Sequence, residues 1–277
     1  MRARLPLLIR VFAPFEGLLK TAARLHAILQ AEVLWAWTPG LEREAVTEII
    51  YGRAKGYLPG GCVFEEGLFA WEQVAIRQPP FPQAGRILLG GAGGGRELAQ
   101  LCRLGYEVVA FEPSEPLLEG ARQAVSRYPG SAVVRASYAD FVTAVEHQSG
   151  PLAPYILSTA FDAVILGDGS FGYVVGEADR RRLLRAIRAL APAAPVLFSF
   201  FLNDDPESGW LDRLRPLIQG LFRLLGSPSA RQRGDVFYAG FAHCLTPDEL
   251  RAAAADSGYR VVFLRTSRPP HAMLTPR

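Results

Sequence analysis

Residues 86–122, RILLGGAGGGRELAQLCRLGYEVVAFEPSEPLLEGAR, constrain the fold more than any other stretch of the chain. An apolar run, a glycine-packed turn, a helical segment, a second apolar run and then the acidic Glu112 describe one βαβ unit. Glycine at 91, 93 and 95 lets the main chain approach a ligand where a Cβ would collide. The helix opening near Arg96 aims free N–H groups and a partial positive charge at the same place. Glu112 follows Gly95 by 17 residues, close to where a carboxylate takes ribose hydroxyls in units of this kind. The unit therefore points to an adenosine-containing cofactor.

Glycine spacing narrows the choice. A dinucleotide fingerprint, G-x-G-x-x-G, counted from Gly91 and Gly93, needs a third glycine where Arg96 stands, so a nicotinamide-dependent reductase is the weaker reading. No G-x-x-x-x-G-K-S/T is present, which leaves a triphosphate cradle unsupported. The G-x-G-x-G spacing, with FEPSEPLLEGAR after the second strand, resembles the class I S-adenosylmethionine-dependent methyltransferases over roughly residues 86–201. The resemblance implies S-adenosylmethionine as cofactor. It puts Gly91, Ala92, Gly93 and Gly95 behind the methionine part, Glu112 and Pro113 at the ribose, and Ser137, Tyr138 and Asp140 of VVRASYADF beside adenine. Two positions depart from the family pattern: the acid that often begins the glycine motif is Leu89, and the aspartate often found after the third strand is Ser137. Upstream, YGRAKGY at 51–57 is similar, with its alanine one residue early, to a Y-x-x-x-A-x-x-Y segment that lines the cofactor in many small-molecule methyltransferases. This makes Tyr51, Arg53 and Tyr57 candidate contacts, an aromatic face being suited to a sulfonium.

Apolar strands alternating with amphipathic helices predict a doubly wound α/β fold, a mostly parallel seven-stranded sheet covered by helices on both faces. Strands are expected at 86–90, 107–111, 132–135, 161–166, 195–201, 259–265 and 271–274, with helices at 96–103, 116–126 and 178–190 between them. Residues 1–80 read as a helical N-terminal region, with segments at about 16–36, 41–57 and 68–77, and 81–277 as the core. An insertion at 203–242, holding a helix from about Trp210 to Leu225 and a strand-like run from Val236 to Ala242, joins the N-terminal helices as the expected substrate cap. Thr246, Pro247 and Glu249 mark the start of a helix that should stop at Gly258.

A net charge of +3 over 277 residues, with arginines scattered through helices, gives no electrostatic case for nucleic acid. Cys62, Cys102 and Cys244 have no metal spacing and suit a reduced, cytoplasmic setting. Arg10 and Glu16 interrupt the N-terminal apolar run before it reaches membrane-spanning form. That segment could rest on a membrane surface or on a partner subunit, and the N-terminal helices could form a homodimer contact.

Chemistry is expected in FDAVILGDGSFGY, residues 161–173, where the fourth strand leaves into a loop beside the glycine turn. Gly167 would contact cofactor there, and Asp168, with Ser170, Phe171 and Tyr173, could reach the transferred group. Asp168 could orient an amine, bind a cationic substrate or take a proton; as a plain loop carboxylate it would make turn hydrogen bonds. His243, ending YAGFAH, is the histidine best placed to serve as a base, with capping or packing as its structural alternative. The expected activity is in-line methyl transfer to a small-molecule acceptor. The alternative is a non-catalytic protein on the same scaffold that binds an adenosyl ligand or works as an interaction module.

Overall fold

The structure, a computed structural model, describes residues 7–203, 214–229, 231–237 and 239–277, with side chains described from Phe15 on, Leu41 excepted. Most of the polar LNDDPESG patch and the expected helix start at Trp210 lie outside the described residues.

The chain forms two compact units, Met1–Arg43 with Asp205–Arg233, and Glu44–Asp204 with Gly234–Arg277. The second holds the sheet. Its strands are β1 (Arg86–Gly90), β2 (Glu107–Glu112), β3 (Ala132–Arg135), β4 (Ala163–Leu166), β5 (Val196–Ser199), β8 (Tyr259–Arg265) and β9 (His271–Pro276), while β6 (Asp235–Phe237) and β7 (Phe241–His243) form a separate hairpin. The sheet order is β3-β2-β1-β4-β5-β9-β8; β1 to β5 are parallel, and β9 alone is reversed, pairing antiparallel with both β5 and β8. The seven-stranded, mostly parallel α/β architecture is the one expected.

Strand side chains alternate between two cores, as a sheet covered on both faces requires. Ile87 and Leu89, Val108 and Ala110 join one core with α5 (Arg96–Arg103) and α6 (Glu115–Val125). Leu88, Phe111, Leu166 and Phe198 join the other with α7 (Tyr138–His147), α9 (Glu177–Leu190) and α11 (Pro247–Asp256). At the head of α11, Thr246 accepts from the Glu249 N–H at 3.2 Å and its own N–H donates to Glu249 at 2.7 Å, the capping box read from the sequence.

Three local expectations are corrected. The run Val236–Ala242 is not one strand, because the chain reverses through Gly240, at φ +129°, and pairs Phe237 with Phe241. The helix expected across 41–57 is α2 (Gly40–Gly52), followed by a 3₁₀ turn at Lys55–Tyr57. The helix α7 was absent from the sequence reading, although Ser137 and Asp140 cap it reciprocally.

In the other unit, α1 (Leu7–Trp37) meets α10 (Arg215–Leu224). Buried Glu32 accepts from Gln219 Nε2 at 2.9 Å and lies 3.5 Å from the Arg231 guanidinium.

Candidate functional site

In open α/β sheets ligands bind beyond the carboxyl ends of the strands where the order reverses, here between β1 and β4. Register brings the predicted residues to that edge. Gly90 pairs with Phe111 on one side and Leu166 on the other, so Gly91, Glu112 and Gly167 leave their strands at one level. The Ala92 N–H donates to Phe111 O at 3.0 Å and the Gly167 N–H to Gly90 O at 2.7 Å, which locks the glycine turn to both neighbours.

The turn passes through three left-handed glycines, Gly91 (φ +67°), Gly93 (φ +54°) and Gly95 (φ +93°). Their surroundings differ. A Cβ on Gly91 would meet Ser170 at 2.8 Å, and one on Gly95 would meet the Ala121 backbone of α6 at 2.9 Å. One on Gly94 would strike the Tyr57 carbonyl. Glycine at these three positions makes room for the protein itself, whereas a Cβ on Gly93 would meet nothing within 4 Å. The open space beside the turn is therefore at Gly93, narrower than the sequence suggests.

Glu112 closes one side of it. Its carboxylate accepts the Gly93 N–H at 2.8 Å and the Ser114 N–H at 3.0 Å, and it is only 6% exposed. Burial outweighs these hydrogen bonds and holds the carboxyl up to about 7. Pro113 is half-buried beside it. Tyr138 shares a hydrogen bond with Ser170 Oγ at 2.6 Å and sets its ring edge-on to Phe111. Ser137 and Asp140 bind each other in the cap of α7, so those polar atoms are already engaged.

Asp168 is exposed at the mouth of the β4 loop, where Ser199 Oγ donates to its Oδ1 at 2.7 Å. Beside this loop, Tyr51 and Tyr173 share a hydroxyl–hydroxyl bond of 2.6 Å, with rings 5.1 Å apart. Tyr57 lies 5.9 Å from Tyr51, and Phe201 lies 5.4 Å from Tyr173, ring centre to ring centre. Burial pushes the Tyr173 hydroxyl up to about 12 and raises that of Tyr51 as well, so both stay protonated near neutrality. They offer ring faces and hydroxyls, not phenolate bases.

The structure places His243 differently from the other candidates. Its main-chain carbonyl lies near Gly172, but the imidazole is 3% exposed, with Nδ1 2.7 Å from Asp235 Oδ1 and Nε2 3.6 Å from Glu249. It is joined to the hairpin and to the head of α11 rather than to Asp168.

Sequence reading missed the charges behind the turn. The Arg96 guanidinium donates to both oxygens of Glu72, at 2.6 and 2.7 Å, to Gly67 O at 2.6 Å and to Glu97 at 2.7 Å. Glu97 in turn accepts the Asp168 N–H at 3.1 Å, linking the first turn of α5 to the β4 loop. The available signal was the Arg-Glu pair directly after Gly95, where a dinucleotide motif would carry glycine.

No family model and no curated protein matches the sequence. Among solved structures, the chain is similar to a SAM-dependent methyltransferase from Methanosarcina mazei, with 17% identity and a TM-score of 0.51 over 76% of this chain and 96% of that one. It is also similar to CalS10 with bound SAM, an amino pentose methyltransferase from Micromonospora echinaspora involved in calicheamicin biosynthesis; there identity is 17% and the TM-score 0.50, over 74% of this chain and 89% of that one. The chain thus has the class I methyltransferase fold.

Proposed function

We propose that this protein transfers a methyl group from S-adenosylmethionine to a small-molecule acceptor in the cytoplasm. The observation that carries the reading is the Glu112 carboxylate bound to the Gly93 N–H at the edge of the only glycine in the turn that faces open space. A hollow without side-chain bulk, walled by a buried carboxylate, fits a chain of polar atoms ending in a sugar diol. Glu112 would hold the ribose hydroxyls, with Pro113 beside it, and the main chain of Gly91, Ala92, Gly93 and Gly95 would follow the methionine portion. The Ser137–Asp140 segment, Tyr138 above all, would flank adenine, while Gly167 and Tyr57 would border the sulfur side.

When bound, the cofactor supplies an electrophilic methyl carried on a sulfonium. This chain's residues hold the acceptor in line and exclude water. The rings of Tyr51, Tyr57 and Tyr173 suit a cation, and Asp168 orients a polar acceptor or takes its proton where one must be shed. His243, closed in by Asp235 and Glu249, is the weaker candidate for that step. Its enclosure also favours the second reading, a non-catalytic adenosyl-ligand binder on the same scaffold.

Calorimetry with S-adenosylmethionine and S-adenosylhomocysteine, followed by methyl-transfer assays over small amines, alcohols and thiols, separates these readings. Binding with transfer supports the enzyme, binding without transfer to any acceptor supports the binder, and binding of NADH alone rejects both.

A further inference from the structure

We infer that α1 and α10 form a docking surface for an anionic lipid bilayer, on which this unit of the protein lies without crossing. Phe15, Leu18, Leu19, Leu29, Val33 and Trp37 are each 40–65% exposed. At 100° per residue these six fall within an arc of about 100°, an apolar stripe along α1 that is interrupted between Leu19 and Leu29 by the exposed His26. From Phe15 to Trp37 it runs about 33 Å at 1.5 Å per residue. Ile28, Ala31, Glu32 and Trp35 are buried on the other side of α1, and Ala36 is buried at the edge of the stripe. The stripe is therefore surplus to the unit's own core.

α10 repeats the arrangement. Leu217, Leu221 and Leu224, spaced i, i+4 and i+7, are 53–87% exposed, while Gln219 on the other face binds Glu32. Scattered apolar residues on a surface are ordinary, but two helices that each turn a leucine-rich stripe outward are not.

Charge selects the occupant. The segments Met1–Arg43 and Asp205–Arg233 contain eleven Lys and Arg against six Asp and Glu, while the rest of the chain is slightly acidic. Two copies meeting through this unit would bring like charges together, whereas an anionic bilayer meets it with the opposite sign. Lys20, paired with Glu16 at 2.6 Å, and Arg24 lie on the side of α1 away from the stripe, so they add to the positive field of the unit without entering the apolar sector, and Trp37 suits the headgroup level. No described helix is long and apolar enough to cross a membrane.

The test is co-sedimentation of the full chain with vesicles of phosphatidylcholine containing about 30% phosphatidylglycerol, a composition whose surface attracts basic segments. The expected result is binding that falls at least tenfold on phosphatidylcholine alone and in high salt. Leu18→Glu with Leu217→Glu should abolish it at unchanged circular dichroism and melting temperature. Lys20→Glu with Arg24→Glu, which keeps the stripe, should remove the preference for anionic lipid. No binding, or equal binding to neutral vesicles, would overturn the proposal. So would a dimer in light scattering that the leucine variants dissociate without any vesicle binding by the parent.

Discussion

Replacing Glu112 by glutamine puts the proposed ribose contact under the most demanding test, because the structure dictates both a size and a pH dependence. Burial holds this carboxyl up to about 7, against 4.5 for a free glutamate side chain. A carboxyl whose folded-state value lies above its unfolded one keeps its proton more tightly when folded. Its contribution to stability is therefore fully present at low pH and is lost as pH rises from about 4.5 toward 7. A gap of that size corresponds to about 3 kcal/mol. Hydroxyl donors prefer the ionised acceptor, so binding a sugar diol there draws a proton off the group. Affinity for S-adenosylhomocysteine should rise about tenfold per pH unit from pH 5 and level off above pH 7, roughly 100-fold between pH 5 and the plateau. Glu112→Gln should flatten that profile and weaken binding at pH 8 by about 1.5–3 kcal/mol, roughly 10- to 150-fold. Titration calorimetry in two buffers of different ionisation enthalpy counts the released proton directly. An equal pH slope in both proteins, or an unchanged affinity at pH 8, would refute the reasoning.

Gly93→Ala forces a side chain into a left-handed residue facing the hollow; it should cost about 1–2 kcal/mol of stability by denaturant titration and at least tenfold in ligand affinity. Gly95→Ala places a side chain on a left-handed residue against the Ala121 backbone of α6 and should destabilise by about 2–5 kcal/mol from strain and overpacking together, with ligand affinity preserved in the folded fraction because that Cβ points into α6. Arg96→Met strands Glu72 and Glu97 without their cation and should lower unfolding free energy by about 3–5 kcal/mol, again read in denaturant. Asp168→Asn should reduce kcat by about 100-fold if the carboxylate takes a proton, with calorimetric affinity for the donor unchanged; an unaltered kcat would remove it from the chemistry. His243→Gln should lower the melting temperature while keeping kcat per folded molecule, since the ring's contacts are Asp235 and Glu249.

The sheet was legible because its strands are short apolar runs separated by glycine turns and amphipathic helices, a pattern that leaves few topologies. Arg86–Gly90, Ala132–Arg135 and Arg96–Arg103 stand where periodicity put them. The hairpin at 235–243 was not, because DVFYAGFAH is apolar enough to read as one strand and only the φ of Gly240 turns it back. α7 was hidden for a related reason: from sequence alone, Ser137 and Asp140 read as well as loop residues beside a ligand as they do as a reciprocal helix cap. Spacing set Glu112 against the glycine turn but did not show which glycine faces outward. That depends on Ser170, Tyr57 and Ala121, which come from distant parts of the chain. The Glu72–Arg96–Glu97 network is equally non-local, and a buried ion pair has no sequence period.

A crystal structure of the protein with S-adenosylhomocysteine tests the central claim most directly. The account predicts the ribose diol on the Glu112 carboxylate, with the methionine portion passing over Gly93. Ligand density elsewhere with the Glu112–Gly93 contact undisturbed, or no ligand at saturating concentration, would contradict it.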